Sequence, residues 1–307
     1  MNKKVLVIVG PTAVGKTSFG IECANRYNGE IISGDSIQIY KGLDIGSAKA
    51  TKDEQSKAIH HLIDIKEPSE NYSVKDFQER GRFLIDELTK QNKLPIVVGG
   101  TGLYIKALLY DYEFKDEENN DNPYDELTNE QIYDILLKED PECLEKIHIN
   151  NRKRLVRALN VLRKHGTGIS KIQAQQEHKM LYDAKIIGLT KDREQLYKDI
   201  NKRVDMMIDE GLLEEIKGLL ERGVSFDDQC MQGIGYKEFR TYFEGVATPQ
   251  ECIELVKKNT RHFVKRQYTW FNNQMPIEWY EDKENAILEI DRWRETKWNL
   301  KILSTNI

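Results

Sequence analysis

The strongest constraint on the fold is a run of apolar residues that leads directly into a glycine-rich loop. Residues 5–9 (VLVIV) stop at Gly10, and Gly15, Lys16 and Thr17 complete the pattern G-x-x-x-x-G-K-[ST]. A strand before the loop and a helix after it direct backbone N–H groups and the positive end of a helix dipole at a polyphosphate. The pattern predicts a phosphate site made of Gly10, Pro11, Thr12, Ala13, Val14, Gly15, Lys16 and Thr17, with the Thr17 hydroxyl as a ligand for Mg²⁺.

The first hundred residues alternate between strand-like and helix-like patterns. Ser73 and Asp76 have the spacing of a capping box at the start of one helix. Such alternation is typical of an α/β fold, with a parallel sheet covered by helices. Past residue 131 the apolar residues recur with helical periodicity, so we expect helices to the end of the chain. Strands are predicted at residues 5–9, 30–33 and 94–98, and helices at residues 17–27 and 74–91.

The character of the chain changes at Asp111. Residues 111–130 are acidic and poor in apolar side chains, which indicates a surface loop or the beginning of an inserted lobe. We expect a phosphate-loop NTPase-like core, a parallel sheet flanked by helices, from residues 1–112 and 149–307. Residues 113–148 would form a smaller helical insertion lobe.

Composition limits the classes of function. The four cysteines are scattered, which argues against a zinc site or a disulfide framework and favours a reducing cytoplasm. No apolar run approaches the length of a membrane span. The net charge of −5 means that nucleic-acid binding would depend on local basic patches. We expect a cytoplasmic monomer with no membrane partner.

Two predicted strand ends carry candidate functional side chains. Ligands bind beyond the carboxyl ends of the strands in such sheets, where Asp35 and Thr101 follow strands. Phosphate-loop ATPases usually have a magnesium-holding carboxylate after an apolar strand, but residues 94–98 are followed by Gly-Gly-Thr. The sequence leaves three roles possible for Asp35, namely a magnesium ligand, a general base and a capping residue. Two roles are possible for Thr101, namely contact with an anion and a place in a tight turn.

Two basic stretches stand out from the acidic total. Lys153, Arg154 and Arg157 can share one helix face, and residues 257–271 interleave cations with aromatic side chains. Such patterns can contact phosphates and stack bases, although a solvated helix face has the same composition. Two patches on one acidic chain favour a polyanionic partner.

The histidines lack the spacing of metal ligands. His60 and His61 are adjacent, so in an extended segment they point to opposite sides. We therefore expect them to make structural hydrogen bonds. The others are His148, His165, His178 and His262.

Taken together, the motifs resemble those of the tRNA isopentenyltransferase family, also called tRNA dimethylallyltransferases. The resemblance runs in order over most of the chain, from about residue 5 to residue 271. The phosphate loop alone is widespread, but its occurrence with the other motifs is specific. The matching stretches are GPTAVGKTS (10–18), SGDSIQIY (33–40), DIGSAK (44–49), HHLID (60–64), GGTGLYI (99–105), IHINNRKRLVRAL (147–159), GIGYKE (233–238) and TRHFVKRQYTWF (260–271).

The resemblance implies a prenyl transfer from dimethylallyl diphosphate to the exocyclic amine of adenosine 37, in the anticodon stem-loop of tRNA. The phosphate loop would hold a diphosphate leaving group, which accounts for the missing carboxylate. Asp35 would be the base, and Thr101 would contact tRNA or orient the diphosphate. Charge on the diphosphate would be stabilised by Lys16, Thr17 and Arg203 together with Mg²⁺. The resemblance implies tRNA contacts from Asp35, Ser36, Ile37, Gln38, Thr101, Lys153, Arg154, Leu155, Val156, Arg157, Lys265 and Arg266.

The chain departs from the family pattern at several positions. The family usually has SADSRQVY, whereas this chain has Gly34 for the alanine and Ile37 for the arginine. Asn272 stands where an arginine often follows TWF, and the acidic segment is shorter than the family's lobe. None of these departures affects the phosphate loop, Asp35 or Thr101.

Two other classes of function fit the phosphate loop. A small-molecule kinase would use ATP, with Asp35 activating an acceptor hydroxyl. A non-catalytic, ATP-dependent RNA-binding module would use the basic helices without chemistry at Asp35. Transfer of phosphate from ATP to a small acceptor would identify the kinase. Unchanged function after replacement of Asp35 by alanine would identify the RNA-binding module.

Overall fold

In the computed structural model, the chain divides into two units, and residues 3–112, 114, 124–145, 147–174 and 179–296 are described. The larger unit contains Met1–Tyr110 and Met180–Ile307, and the smaller contains Asp111–Lys179. The strands are β1 (Lys4–Val9), β2 (Gly29–Ser33), β3 (His60–His61), β4 (Leu94–Gly99), β5 (Asp183–Leu189) and β6 (Glu278–Tyr280). The helices are α1 (Lys16–Tyr27), α2 (Lys52–Lys57), α3 (Val74–Lys90), α4 (Gly102–Leu109), α5 (Asn129–Glu139), α6 (Arg152–His165), α7 (Ile169–Ala174), α8 (Arg193–Asp209), α9 (Leu212–Glu221), α10 (Arg240–Phe243), α11 (Pro249–Gln274) and α12 (Lys283–Glu295).

All the strands of the larger unit form one parallel sheet, in the order β3-β2-β4-β1-β5-β6. Val5, Val7 and Val9 of β1 pack into the core on one face, and Leu6 and Ile8 pack into the core on the other. Burial on both faces explains why the strand is a continuous apolar run rather than an alternating one. The predicted α/β fold with a helix-flanked parallel sheet is confirmed.

The expectation of helices to the end of the chain was wrong, because β5 and β6 lie in that half. β5 pairs with β1 and is buried at its carboxyl-terminal half, so it lacks the alternation that reveals a half-exposed strand. β6 has only three residues at the edge of the sheet, too few to show a period. Among the described helices, none combines the length and apolar character that a membrane span requires.

The smaller unit has its own apolar core. Leu155 and Leu159 of α6 pack in one cluster with Ile132 and Leu136 of α5. The structure therefore places α6 with the lobe, whereas the sequence interpretation ended the lobe at residue 148. An amphipathic helix needs a partner for its apolar face, and α5 provides it. Residues 113, 115–123 and 146 of the predicted lobe lie outside the described residues.

The order of the strands creates a binding crevice. α1 follows β1 and leads to β2, while the chain after β4 returns to the sheet as β5, on the other side of β1. The connections after β1 and β4 thus leave in opposite directions, which opens a crevice at the carboxyl ends of these strands.

Candidate active site

The phosphate loop joins β1 to α1 in the predicted context. Gly10 has a φ of 148°, and a Cβ there would lie 2.5 Å from the carbonyl oxygen of Leu189, so only glycine fits. Gly15 has a φ of 96° and is the N-cap of α1, and no side chain caps the helix at this position. The N–H groups of the first turn are therefore available to an anion.

Lys16, Arg203 and Asp35 form one electrostatic group. Burial is the main reason that the pKa of Lys16 falls to about 7; the charge of Arg203 adds to this effect, and Asp35 opposes it. Burial also lowers the pKa of Arg203, again opposed by Asp35. Two desolvated cations beside one carboxylate favour binding of a further anion.

Asp35 and Thr101 meet where β2 and β4 end. The Gly34 amide donates to the Val98 carbonyl at 2.8 Å, and the Thr101 amide donates to the Gly34 carbonyl at 3.4 Å. A Cβ on Gly99 would lie 2.4 Å from the Gly34 oxygen, so this approach requires glycine at 99. A Cβ on Gly34 itself would meet its neighbours at 3.5 Å or more, so the alanine usual in the resembling family would fit.

Asp35 combines two of the roles that the sequence left open. Its Oδ1 accepts hydrogen bonds from the amides of Ile37 at 2.8 Å and Gln38 at 3.3 Å, which fixes a tight turn. Its Oδ2 accepts no hydrogen bond from the described residues. One oxygen therefore caps the turn, and the other is available to accept a proton.

These groups line one cavity of about 1150 Å³ in the larger unit. It brings together Lys16, Thr17, Asp35, Thr101 and Arg203, which come from four separate segments of the sequence. The lining from the predicted phosphate and tRNA residues also includes Thr12, Ala13, Gly15, Ser36, Ile37, Gln38 and Arg266, but not Gly10, Pro11, Val14 or Lys265.

Sequence reasoning missed the apolar wall of this cavity. On α8 the wall repeats at i, i+4 and i+7, and on α11 it continues with Gln267, a buried amide whose Nε2 donates to the Gly100 carbonyl at 3.0 Å. That helical spacing was visible in the sequence, but it is also the spacing of an ordinary core face. The apolar lining residues of the two helices are Ile200, Val204, Met206, Met207, Val256 and Phe263.

The predicted tRNA-binding helices differ in what they expose. On α6, Lys153, Arg154 and Arg157 are exposed, whereas Leu155 is buried in the core of the smaller unit and Val156 packs against it. The side chains of those last two residues serve the core. On α11, Lys265 and Arg266 are exposed, so the helix presents cations at the surface.

No group of three or more His, Cys, Asp or Glu residues in the described part of the chain could hold a metal ion. His61 Nε2 lies 2.6 Å from a Glu30 oxygen, and His60 Nδ1 lies 2.8 Å from the Ala58 carbonyl oxygen. Both histidines make structural hydrogen bonds, as predicted. His178 lies outside the described residues.

The fold and the cavity define a phosphate-loop α/β protein in which the loop and an apolar wall line one cavity. The family model described as IPP transferase matches residues 38–274. A tRNA dimethylallyltransferase from Anoxybacillus flavithermus is 49% identical over 292 residues, 94% of each chain. Another from Bacillus mycoides is 48% identical over 308 residues, 97% of this chain and 96% of that one. The chain belongs to the IPP transferase family.

Solved structures agree with this assignment. A tRNA delta(2)-isopentenylpyrophosphate transferase from Staphylococcus epidermidis has 39% identity and a TM-score of 0.70, covering 94% of this chain and 99% of that one. A eukaryotic dimethylallyltransferase acting on tRNA has 28% identity and a TM-score of 0.83, covering 97% and 81%. The likeness extends over nearly the whole chain in both cases.

Proposed function

We propose that this protein transfers a dimethylallyl group from dimethylallyl diphosphate to the exocyclic amine of adenosine 37 in tRNA, with release of diphosphate. The observation that carries the proposal is one cavity that joins a phosphate loop, the Asp35 carboxylate and an apolar wall. Relatives named tRNA dimethylallyltransferase, among them one that is 49% identical, support it. These relatives are named for dimethylallyl transfer and not for phosphate transfer, which disfavours the kinase alternative.

The donor fits the two chemical characters of the cavity. The diphosphate accepts hydrogen bonds from the N–H groups of the loop, and Lys16 and Arg203 stabilise the charge that grows on it as it leaves. The side chains of Met207, Val256 and Phe263 offer an apolar surface to the dimethylallyl group. This arrangement favours the transition state, because the cations act most strongly on the fully charged leaving group.

The acceptor amine has to leave the stack of bases to reach the donor. The amine nitrogen then forms a bond to the first carbon of the dimethylallyl group, while the bond from that carbon to the diphosphate oxygen breaks. Asp35 Oδ2 accepts the proton that the nitrogen releases. Thr101, held beside Gly34 by its backbone amide and present in the cavity lining, brings a hydroxyl near the reacting groups.

Mg²⁺ fits the donor set of this site. It keeps several water ligands and commonly binds through substrate phosphates, so it needs few protein ligands. Thr17, in the first turn of α1 and in the cavity lining, would hold it together with diphosphate oxygens. Bound there, the ion supplies neutralising charge for the leaving group.

The tRNA would contact exposed cations and the turn that begins at Asp35. Lys153, Arg154 and Arg157 on α6, with Lys265 and Arg266 on α11, supply positive charge for phosphates. The turn of residues 35–38, which lines the cavity, would receive the extruded adenosine. Action as a monomer and location in the cytoplasm stay predictions.

The decisive experiment offers dimethylallyl diphosphate and unmodified tRNA to the purified protein. Digestion to nucleosides and mass spectrometry should show adenosine that carries one dimethylallyl group, and sequencing of fragments should place it at position 37. A parallel incubation with labelled ATP and small acceptors tests the kinase alternative. Labelled phosphate on an acceptor, with no prenylated adenosine, would overturn the proposal.

A further inference from the structure

A carboxylate and a tyrosine outside the cavity hold one of its walls. Glu215 of α9 accepts hydrogen bonds from three consecutive amides, those of Asp44 and Ile45 at 2.8 Å and that of Gly46 at 3.2 Å. Tyr236 donates to Glu215 at 2.7 Å. The carboxylate thus anchors the DIGSA segment, residues 44–48, all of which line the cavity.

Tyr236 adds a second attachment to the same segment. Its hydroxyl accepts a hydrogen bond from the Ser47 amide at 3.1 Å, and a Cβ on Gly46 would lie 2.6 Å from its ring. Tyr236 is fully buried. Burial, with the charge of Glu215, raises the pKa of Tyr236 well above its ordinary value, so its hydroxyl remains a donor to Glu215.

The DIGSA segment in turn holds the side chain of Gln38. The carbonyl oxygens of Ser47 and Ala48 accept hydrogen bonds from Gln38 Nε2 at 3.3 Å and 3.2 Å. Gln38 Oε1 accepts from the Ser33 hydroxyl at 3.1 Å. The side-chain amide therefore has both protons and its oxygen engaged within the protein, so its position is set by the DIGSA segment.

Gln38 closes the chain of contacts at Asp35. Its backbone amide is one of the two that bond Asp35 Oδ1, at 3.3 Å. Ala48, which supplies one of the carbonyl groups, has a φ of 49°, a left-handed conformation that costs about 1–2 kcal/mol for a residue with a side chain. The attachments to Glu215 and Tyr236 offset that cost and keep the Ala48 carbonyl directed at Gln38.

We propose that Glu215 and Tyr236 are positioning residues, which act through the DIGSA segment and Gln38 to fix the Asp35 carboxylate. The inference rests on the proposed role of Asp35 as base. Neither Glu215 nor Tyr236 belongs to the cavity lining, so neither contacts groups bound within the cavity. Small displacements of a catalytic group cost rate without weakening the binding of groups held elsewhere.

The variants that test this remove contacts and preserve shape. Tyr236→Phe keeps the ring against Gly46 but loses both hydrogen bonds, and Glu215→Gln removes the charge that three amides share. In single-turnover reactions with saturating substrates, both should slow prenyl transfer by about tenfold or more and leave the affinity for dimethylallyl diphosphate unchanged. Glu214→Gln changes an exposed neighbour on the same helix and should behave as wild type.

A double-mutant cycle separates positioning from general support of the fold. In an Asp35→Asn background, Tyr236→Phe should cause no further loss of rate, because the group that it positions has already been removed. An equal loss in both backgrounds, or wild-type rates in Tyr236→Phe itself, would overturn the proposal. Melting temperatures of all variants ensure that rates are compared for folded protein.

Hydrogen exchange tests, independently of enzyme activity, whether Glu215 and Tyr236 hold the DIGSA segment and the turn at Asp35. The amides of residues 35–48 should exchange faster in Tyr236→Phe than in wild type, and at the wild-type rate in Glu214→Gln. Unchanged exchange at residues 35–38 would refute the link to Asp35. A wild-type protein that makes no prenylated adenosine would instead refute the proposed function. The exchange result would still decide whether Glu215 and Tyr236 hold residues 35–48 in place.

Discussion

The ammonium group of Lys16 donates a hydrogen bond of 2.7 Å to the carbonyl oxygen of Pro11, within the same phosphate loop. Because the pKa of Lys16 is lowered to about 7, the lysine loses its proton as the pH rises above that value. A bound diphosphate favours the charged form and raises the pKa. Donor binding should therefore take up a proton, and the affinity should fall by at most about tenfold per pH unit between about pH 7.5 and about pH 9.

Isothermal titration calorimetry in buffers of different ionisation enthalpy measures this uptake directly. Lys16→Met provides the control, since it removes the titrating group and should abolish the pH dependence together with much of the affinity. A wild-type affinity that stays constant over this range would mean that Lys16 is charged before the donor binds.

Replacement of Asp35 by asparagine should separate capping from proton transfer. The side-chain amide of the Asp35→Asn variant retains an oxygen for the backbone amides of Ile37 and Gln38, but it does not accept the proton. With saturating dimethylallyl diphosphate, single-turnover transfer should slow by about 10²- to 10⁴-fold. Asp53→Asn is the matched control, because Asp53 is exposed on α2 and is not part of the cavity lining. Near-normal transfer by Asp35→Asn would exclude this carboxylate as the base.

Local sequence predicted β1, β2, β4 and the phosphate loop, but not the two-residue strand β3. An apolar run followed by Gly10 and Gly15 specifies its own strand, loop and helix, because the backbone conformations depend on the glycines themselves. β5 was missed because its identity as a strand depends on its pairing with β1, far away in the sequence. Patterns within a window do not contain that information.

The same distinction applies to the site. The sequence singles out Asp35 and Thr101 because each follows an apolar strand. Glu215 and Tyr236 escape such reasoning because they contact residues 44–47 over long sequence separations. Asn272 shows the converse: the sequence suggested only a lost cation. Its side chain in fact accepts a hydrogen bond of 2.8 Å from Trp279 Nε1, which ties α11 to β6.

The close approach of two strand ends predicts a specific sensitivity to a single methyl group. In Gly99→Ala the new Cβ would lie 2.4 Å from the Gly34 carbonyl oxygen, and that backbone atom has no rotamer with which to avoid it. The free energy of unfolding should fall by about 1–3 kcal/mol, and transfer should slow because Gly34 adjoins Asp35.

Gly218→Ala is the control for that methyl group. Gly218 lies inside α9, and a Cβ there would meet nothing within 4 Å. The free energy of unfolding, measured with denaturant, should therefore rise by about 0.5–1 kcal/mol. Equal effects of the two substitutions would show that the strand ends relax freely.

Two arginines on α6 should contribute differently to tRNA binding. Arg154 is exposed near the start of the helix, whereas Arg163 near its end is held by both oxygens of Glu139, at 2.6 Å and 2.8 Å. If Arg154 contacts a tRNA phosphate, Arg154→Ala should weaken binding and reduce the slope of log K against log salt by about one. Arg163→Ala should leave the slope unchanged, because its charge is already neutralised within the protein. Filter binding at several salt concentrations gives both slopes, and a wild-type slope in Arg154→Ala would show that Arg154 does not contact a tRNA phosphate.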